Sequence, residues 1–189
     1  MDDFFFQSEN SMPRIGDYAP AFRAVTTQGT IYFPADYFGK WVILFSYSTD
    51  YIPASTSEFK ALASMHEDFK ALNCELLGLS VGRYSNHAPR MHIVREEIEC
   101  KDTKDIEIKF PLIEDTTAEV ARKYGIIQPD KRNSKAVRSV FFIDPECMIK
   151  GVIYYPMSLG LNFDELKRVI VALQTEDTTS IAIPAILRL

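Results

Sequence analysis

The sequence is short of the residues that would place it in several functional classes. It carries three cysteines, Cys74, Cys100 and Cys147, among 189 residues, an odd and sparse set that does not read as a secreted disulfide framework. The three histidines, His66, His87 and His92, show no metal-ligand spacing, and no metal or cofactor is expected. No apolar run approaches the roughly 18–20 residues of a membrane span. Lys and Arg number 21 against 26 Asp and Glu, and the resulting charge of −5 speaks against nucleic acid or an anionic membrane as partner. The first residues are acidic where a secretory signal is basic, and no Gly-x-Ser-x-Gly elbow of a serine hydrolase is present. No internal repeat or low-complexity stretch interrupts the chain. A hydrophobic fraction of 47% over this length supports one globular domain of cytoplasmic type, with a core that needs no staples.

The hydrophobic pattern divides the chain into a flexible arm over 1–12, a domain over 13–175 and a short tail over 176–189. Residues 22–25 and 30–33 flank Thr-Thr-Gln-Gly and predict a β-hairpin. The continuous apolar run over 41–46 predicts a strand buried on both faces. A helix is expected from about Thr56 to Leu72, with Phe59, Leu62, Ala63, His66 and Phe69 on one face. On that stripe His66 reads as a satisfied core or boundary residue. A second buried strand over 75–81, a helix over 85–98, a strand over 110–113 and a short helix after Asp115 follow. Strands over 137–143 and 148–155 are joined by Asp-Pro-Glu-Cys, a turn-forming sequence. A helix over 163–173 closes the pattern, with Asn162 as its N-cap. Alternating buried strands and helices imply parallel crossovers, and the late hairpin adds antiparallel strands. The expectation is an α/β, thioredoxin-like fold with a central mixed β-sheet flanked by helices.

The stretch with chemical content is 45–59, Phe-Ser-Tyr-Ser-Thr-Asp-Tyr-Ile-Pro-Ala-Ser-Thr-Ser-Glu-Phe, between the first buried strand and the first long helix. Ligands of open α/β sheets bind at the carboxyl ends of strands. A helix N-terminus there offers unpaired N–H groups and a positive dipole end, which favour an anion. This segment resembles the active-site loop of the peroxiredoxins, the alkyl hydroperoxide reductase/thiol-specific antioxidant family, whose pattern is Pro-x-x-x-Thr/Ser-x-x-Cys followed by Thr-x-Glu-Phe. Arg-Ile-Gly-Asp-Tyr-Ala-Pro-Ala-Phe over 14–22 resembles the family's opening motif, and Val-Arg-Ser-Val-Phe-Phe-Ile-Asp-Pro over 137–145 resembles the strand that delivers its active-site arginine. Tyr154-Tyr155-Pro156 and the helix after Asn162 resemble the 1-Cys subgroup.

The resemblance implies thiol-dependent reduction of hydrogen peroxide and organic hydroperoxides, an antioxidant oxidoreductase activity. It also implies a site made of positions 52, 55, 58 and 138. There the sequence departs from the pattern: the family's proline falls on Ser48, its Thr/Ser on Ile52 and its peroxidatic cysteine on Ser55. A serine hydroxyl is far less acidic than a thiol and cannot enter the sulfur oxidation ladder. Ile52 lacks the hydroxyl that would hold peroxide. Arg138, Thr56 and Glu58 remain, so the expected protein is a peroxidase-inactive pseudoenzyme with a pocket for a small anion or peroxide-sized ligand near Ser55 and Arg138. The alternative is an active thiol peroxidase in which Ser55 is an engineered replacement or another cysteine takes over.

Plainer readings stand beside these. Ser55-x-x-Glu58 is also a capping box, Arg138 could be an outward strand residue whose side chain snorkels, and Lys131, Arg132 and Lys135 could be a solvated loop. Cys74 reads as an inert, buried small hydrophobe, while Cys100 and Cys147 read as exposed but poorly placed for reactivity. The strand from Met148 to Tyr155 is expected at the sheet edge, where the resemblance implies a homodimer by edge pairing. The apolar tail resembles the beginning of the 1-Cys subgroup's longer C-terminal extension.

Overall fold

The computed structural model describes residues 12–48, 52–81, 108–128, 135–156 and 158–179, without the side chains of 48, 52–61, 81, 114, 128 and 135. Strands β1 (Phe22–Thr26) and β2 (Gly29–Phe33) form the expected antiparallel hairpin. Its turn is held by Thr26, whose Oγ1 accepts the Gln28 N–H at 3.0 Å and donates to the Gly29 carbonyl at 2.8 Å. A 3₁₀ turn (Ala35–Tyr37) leads into β3 (Trp41–Ser48), the long helix α1 (Ile52–Ala71) and β4 (Cys74–Val81). Next come β5 (Leu112–Glu114), the short helix α2 (Glu119–Lys123) and a small hairpin of β6 (Ile127–Gln128) and β7 (Lys135–Ala136). Strands β8 (Arg138–Ile143) and β9 (Ile149–Tyr155) and helix α3 (Phe163–Thr179) complete the described elements.

Seven strands make one mixed sheet in the order β2-β1-β5-β4-β3-β8-β9. The three central strands β5, β4 and β3 are parallel, and antiparallel partners flank them on both sides. Side-chain alternation divides the core between the two faces. Val42 and Leu44 of β3 join Phe22, Phe33, Tyr124 and Phe141 on the α2 side. Ile43, Phe45 and Tyr47 join Leu62, Phe69, Phe163, Leu166 and Ile170 on the side covered by α1 and α3. The two covering helices are tied by Lys167 to Asp68 at 2.8 Å and by the Gln174 amide donating to the Leu72 carbonyl at 2.6 Å. This is the thioredoxin-like layering expected of the pattern.

Three boundaries differ from expectation. Helix α1 begins at Ile52, ahead of the expected Thr56. Proline is tolerated in a first helical turn, where its missing N–H has no intrahelical partner, and Pro53 is therefore a start signal. Ser55 consequently lies inside the helix, and the capping-box reading is incorrect. Helix α3 runs on to Thr179, and along its last turns the hydroxyls donate back, Thr175 to the Val171 carbonyl at 2.7 Å and Thr179 to the Thr175 carbonyl at 2.6 Å. The strand expected over 110–113 forms at Leu112–Glu114. The expected helix over 85–98, His87, His92, Cys100, Lys131, Arg132 and nearly all of the N-terminal arm lie outside the described residues.

At the far edge, β9 follows the Asp144 turn, whose carboxylate Oδ1 accepts the N–H groups of Glu146 and Met148 at 3.0 and 2.8 Å. The segment 16–19 covers the start of this strand: the Gly16 N–H donates to the Ile149 carbonyl and the Ile149 N–H to the Asp17 carbonyl, at 2.8 and 2.9 Å. Beyond Lys150 no described strand lies outside β9. No described helix is long and apolar enough to cross a membrane.

Candidate active site

The sheet brings the carboxyl end of β3 and the amino end of β8 together. Their antiparallel register pairs Phe45 with Val140, so Ser46 comes beside Ser139 and Arg138 follows one residue further. Helix α1 starts three residues after β3 ends and places Ser55 in its first turns, with Glu58 about one turn on. Ile52 is its first residue. The backbone thus carries Ile52, Ser55 and Glu58 out from the strand end that Arg138 borders, while their side chains lie outside the described residues.

Arg138 is fully buried, at 0% exposure, which excludes the outward, snorkelling reading. Alternation along β8 assigns it to the face of Val140 and Phe142, which is the face covered by α1. Tyr155 of β9 pairs with it across the strands, and buried Tyr47 emerges from β3 on the same face. A guanidinium in such a water-poor setting interacts with an anion more strongly than one at the surface.

The peptide groups around Arg138 are held by a residue that sequence reasoning missed. Ser46, also fully buried, accepts the Ser139 N–H at 2.8 Å and donates to the Val137 carbonyl at 3.3 Å. The Ser139 hydroxyl lies 3.4 Å from the same oxygen. The available signal was a lone hydroxyl at the end of an apolar strand run, but its partners lie more than ninety residues away in sequence.

The described thiols are not part of this arrangement. Cys74 pairs with Trp41 at the opposite end of β3, and burial pushes its thiol far up from the ordinary range. Cys147 lies in the turn beyond the other end of β8, half-buried rather than exposed, and burial with the Asp144 charge raises its thiol as well. A strand of six residues spans about 20 Å, so neither thiol shares the Arg138 end of the sheet. His66 is buried at 5% exposure with its ring edge-on to Phe110 at 6.1 Å. Neither imidazole nitrogen has a hydrogen-bond partner among the described residues, which corrects the expectation of a satisfied histidine. Among the described residues no three His, Cys, Asp or Glu side chains gather as metal ligands.

Comparison with known proteins agrees with this architecture. Residues 15–152 match the model of the AhpC/TSA family. A peroxiredoxin of Methanosarcina mazei is 52% identical over 174 residues, covering 92% of this chain and 80% of the relative. One of Archaeoglobus fulgidus is 42% identical over 173 residues, covering 92% and 77%. Among solved structures, a yeast mitochondrial 1-Cys peroxiredoxin superposes with a TM-score of 0.79 at 34% identity, covering 94% of this chain and 84% of that one. A cysteine-to-serine mutant of peroxiredoxin 6 from Arenicola marina gives 0.76 at 32% identity, covering 93% and 80%. A matched family model over most of the domain, close relatives over nearly the whole chain and a shared thioredoxin-like fold establish that this chain belongs to the AhpC/TSA family, the peroxiredoxins.

Proposed function

We propose that this protein is a peroxiredoxin without peroxide chemistry, which retains the family's pocket as a binding site for a small anion. The family's activity is thiol-dependent hydroperoxide reduction, in which a cysteine thiolate attacks one peroxide oxygen and becomes a sulfenic acid. The observation that carries the reading is Ser55, a hydroxyl residue in the first turns of the helix leaving the Arg138 end of the sheet. An alcohol is not thiolate-like at neutral pH, and oxygen has no counterpart of the sulfenic acid. Ile52 removes a second polar group from the same turn. What persists is the helix N-terminus and the buried guanidinium, which together favour sulfate, phosphate or carboxylate. Glu58 is their candidate charge partner.

The raised thiols of Cys74 and Cys147 at the other end of the sheet argue against a substitute nucleophile, since reactivity needs the thiolate. The protein is further proposed to be a cytoplasmic homodimer joined through the outer edge of β9, where half-buried Ile153 and Tyr155 border an edge without a described neighbour. Sedimentation at micromolar protein is expected to show the dimer, and a monomer there would remove that element of the proposal. The test of the site is Ser55→Cys, assayed by intact mass after one equivalent of hydrogen peroxide. The variant is expected to gain oxygen on the introduced thiol. No gain there, with the thiol verified as reduced and accessible, would contradict the assignment of position 55; a gain restored only by adding Ile52→Thr would show that the lost hydroxyl matters as well.

A further inference from the structure

We infer that Ser46 is a positioning residue, whose buried hydroxyl fixes the two peptide groups flanking Arg138 and thereby sets where the guanidinium meets an anion. This rests on the anion-pocket reading and deepens it. The hydroxyl takes the Val137 carbonyl with its proton at 3.3 Å and the Ser139 N–H with a lone pair at 2.8 Å. These are the peptide groups immediately before and after Arg138. Regular backbone pairing between β3 and β8 ends at Phe45 and Val140, so at the next step a side-chain oxygen replaces the main-chain ladder.

The remaining sides of Arg138 are also held. The Val137 N–H donates to the Ile126 carbonyl at 2.8 Å. In β9, Tyr155 and Tyr154 pair with Arg138 and Ser139. Ser46 itself is fixed by parallel pairing with Leu79 of β4, and β3 ends two residues later before α1 begins. One hydroxyl therefore connects the strand that feeds the Ser55 helix to the strand that carries Arg138. A long, flexible side chain on a strand end gains directional precision only if its backbone is fixed, and a hydrogen-bonded hydroxyl at 0% exposure provides a rigid anchor.

A plainer role is that Ser46 only satisfies two polar groups where the strands part. The two roles separate in the pair Ser46→Thr and Ser46→Val, which have nearly the same shape and differ by the hydroxyl. Inorganic sulfate is titrated against each folded variant and the affinity read from the side-chain nitrogen resonance of Arg138 and from backbone amides. The threonine variant is expected to bind sulfate within about twofold of the parent, and the valine variant about tenfold more weakly, the change for one misplaced charged hydrogen bond. In an Arg138→Gln background the difference between the two must vanish.

Sulfate binding that survives Arg138→Gln unchanged would refute the anion pocket, and the inference with it. Binding that is lost in Arg138→Gln but equal in the threonine and valine variants would refute the positioning role alone. A threonine–valine difference that persists without Arg138 would show that Ser46 acts on the fold generally, which also refutes it. Should the valine variant not fold, hydrogen exchange of the Ser139 amide in the unsubstituted protein decides the matter. Sulfate at ten times its Kd is expected to slow that exchange by about tenfold, because an opening that breaks the clamp also releases the anion. Unchanged exchange would overturn the inference.

Discussion

Replacing Gly78 by alanine is expected to destabilise the face of the sheet that carries the site. Gly78 lies in β4, where a Cβ would come 2.6 Å from Leu112 Cδ2, 3.2 Å from Phe45 Cζ and 3.4 Å from Tyr47 Cε1. Carbon atoms pack best at about 3.5–4.0 Å, so the Leu112 methyl must retreat by about 1 Å and the Phe45 ring by a few tenths. Phe45 has little room to yield, since its ring meets Phe110 at 5.9 Å and Phe163 at 6.5 Å. Overpacking of this kind costs about 1–3 kcal/mol, and removal of a strand glycine returns about 0.5–1 kcal/mol through the unfolded chain. The net loss is therefore about 0–2.5 kcal/mol, centred on about 1 kcal/mol, which corresponds to a fall in Tm of about 2–4 °C for a chain of this size. Urea unfolding should show a lower midpoint with an unchanged slope. Adding Leu112→Ala should leave the double variant more stable than the sum of the two single effects by about 1 kcal/mol, because the clash is then gone. A Gly78→Ala protein more stable than its parent, or strictly additive effects with Leu112→Ala, would refute the packing argument.

Burial pushes the Asp115 carboxyl up from its ordinary range, outweighing the backbone N–H groups of Ala121, Val120 and Glu119 that favour the ionised form. A folded pKa above the unfolded one adds stability that is fully present below the unfolded pKa and is lost as pH rises through the folded pKa. Asp115→Asn cannot ionise and keeps an acceptor for the Ala121 N–H, now 2.7 Å from the carboxylate. Its stability relative to the parent should therefore increase as pH rises above the ordinary aspartate range, and a flat or falling difference in urea titrations would contradict this. His66→Leu should raise stability by about 1 kcal/mol, because it removes a buried imidazole whose nitrogens lack partners among the described residues. A loss of more than about 1 kcal/mol on thermal unfolding would mean that the ring makes a polar contact worth keeping.

What could be read in the sequence was set by local pattern. The run Trp41 to Ser46 announced a strand because both of its faces are buried, and Phe163, Leu166 and Ile170 announced a helix because their spacing is one face. The Asp144 turn was legible because its carboxylate binds its own next residues. Patterns of the same length also misled. Ser55 and Glu58 have capping-box spacing, but Pro53 lies in the first turn and the helix starts ahead of them. The last turns of α3 have no apolar period to announce them, and their threonine hydroxyls are taken up by carbonyls of the same helix. The Ser46 clamp was not legible, since a hydroxyl in an apolar strand reveals its role only when the sheet brings Val137 and Ser139 to it. The family motif singles out Arg138 in the sequence, whereas its complete burial is visible only in the folded chain.

The central claim is that this chain, as its sequence stands, does not reduce peroxide. Its most direct test is a single turnover of the fully reduced, unsubstituted protein with one equivalent of hydrogen peroxide, with peroxide followed by stopped flow and the protein by intact mass and peptide mapping. Peroxide loss no faster than with ordinary free thiols is expected, with no oxygen gained at Ser55. Rapid consumption with the oxygen located on Cys74, Cys100 or Cys147 would contradict the claim, because a thiol at a position other than 55 would then be the peroxidatic residue.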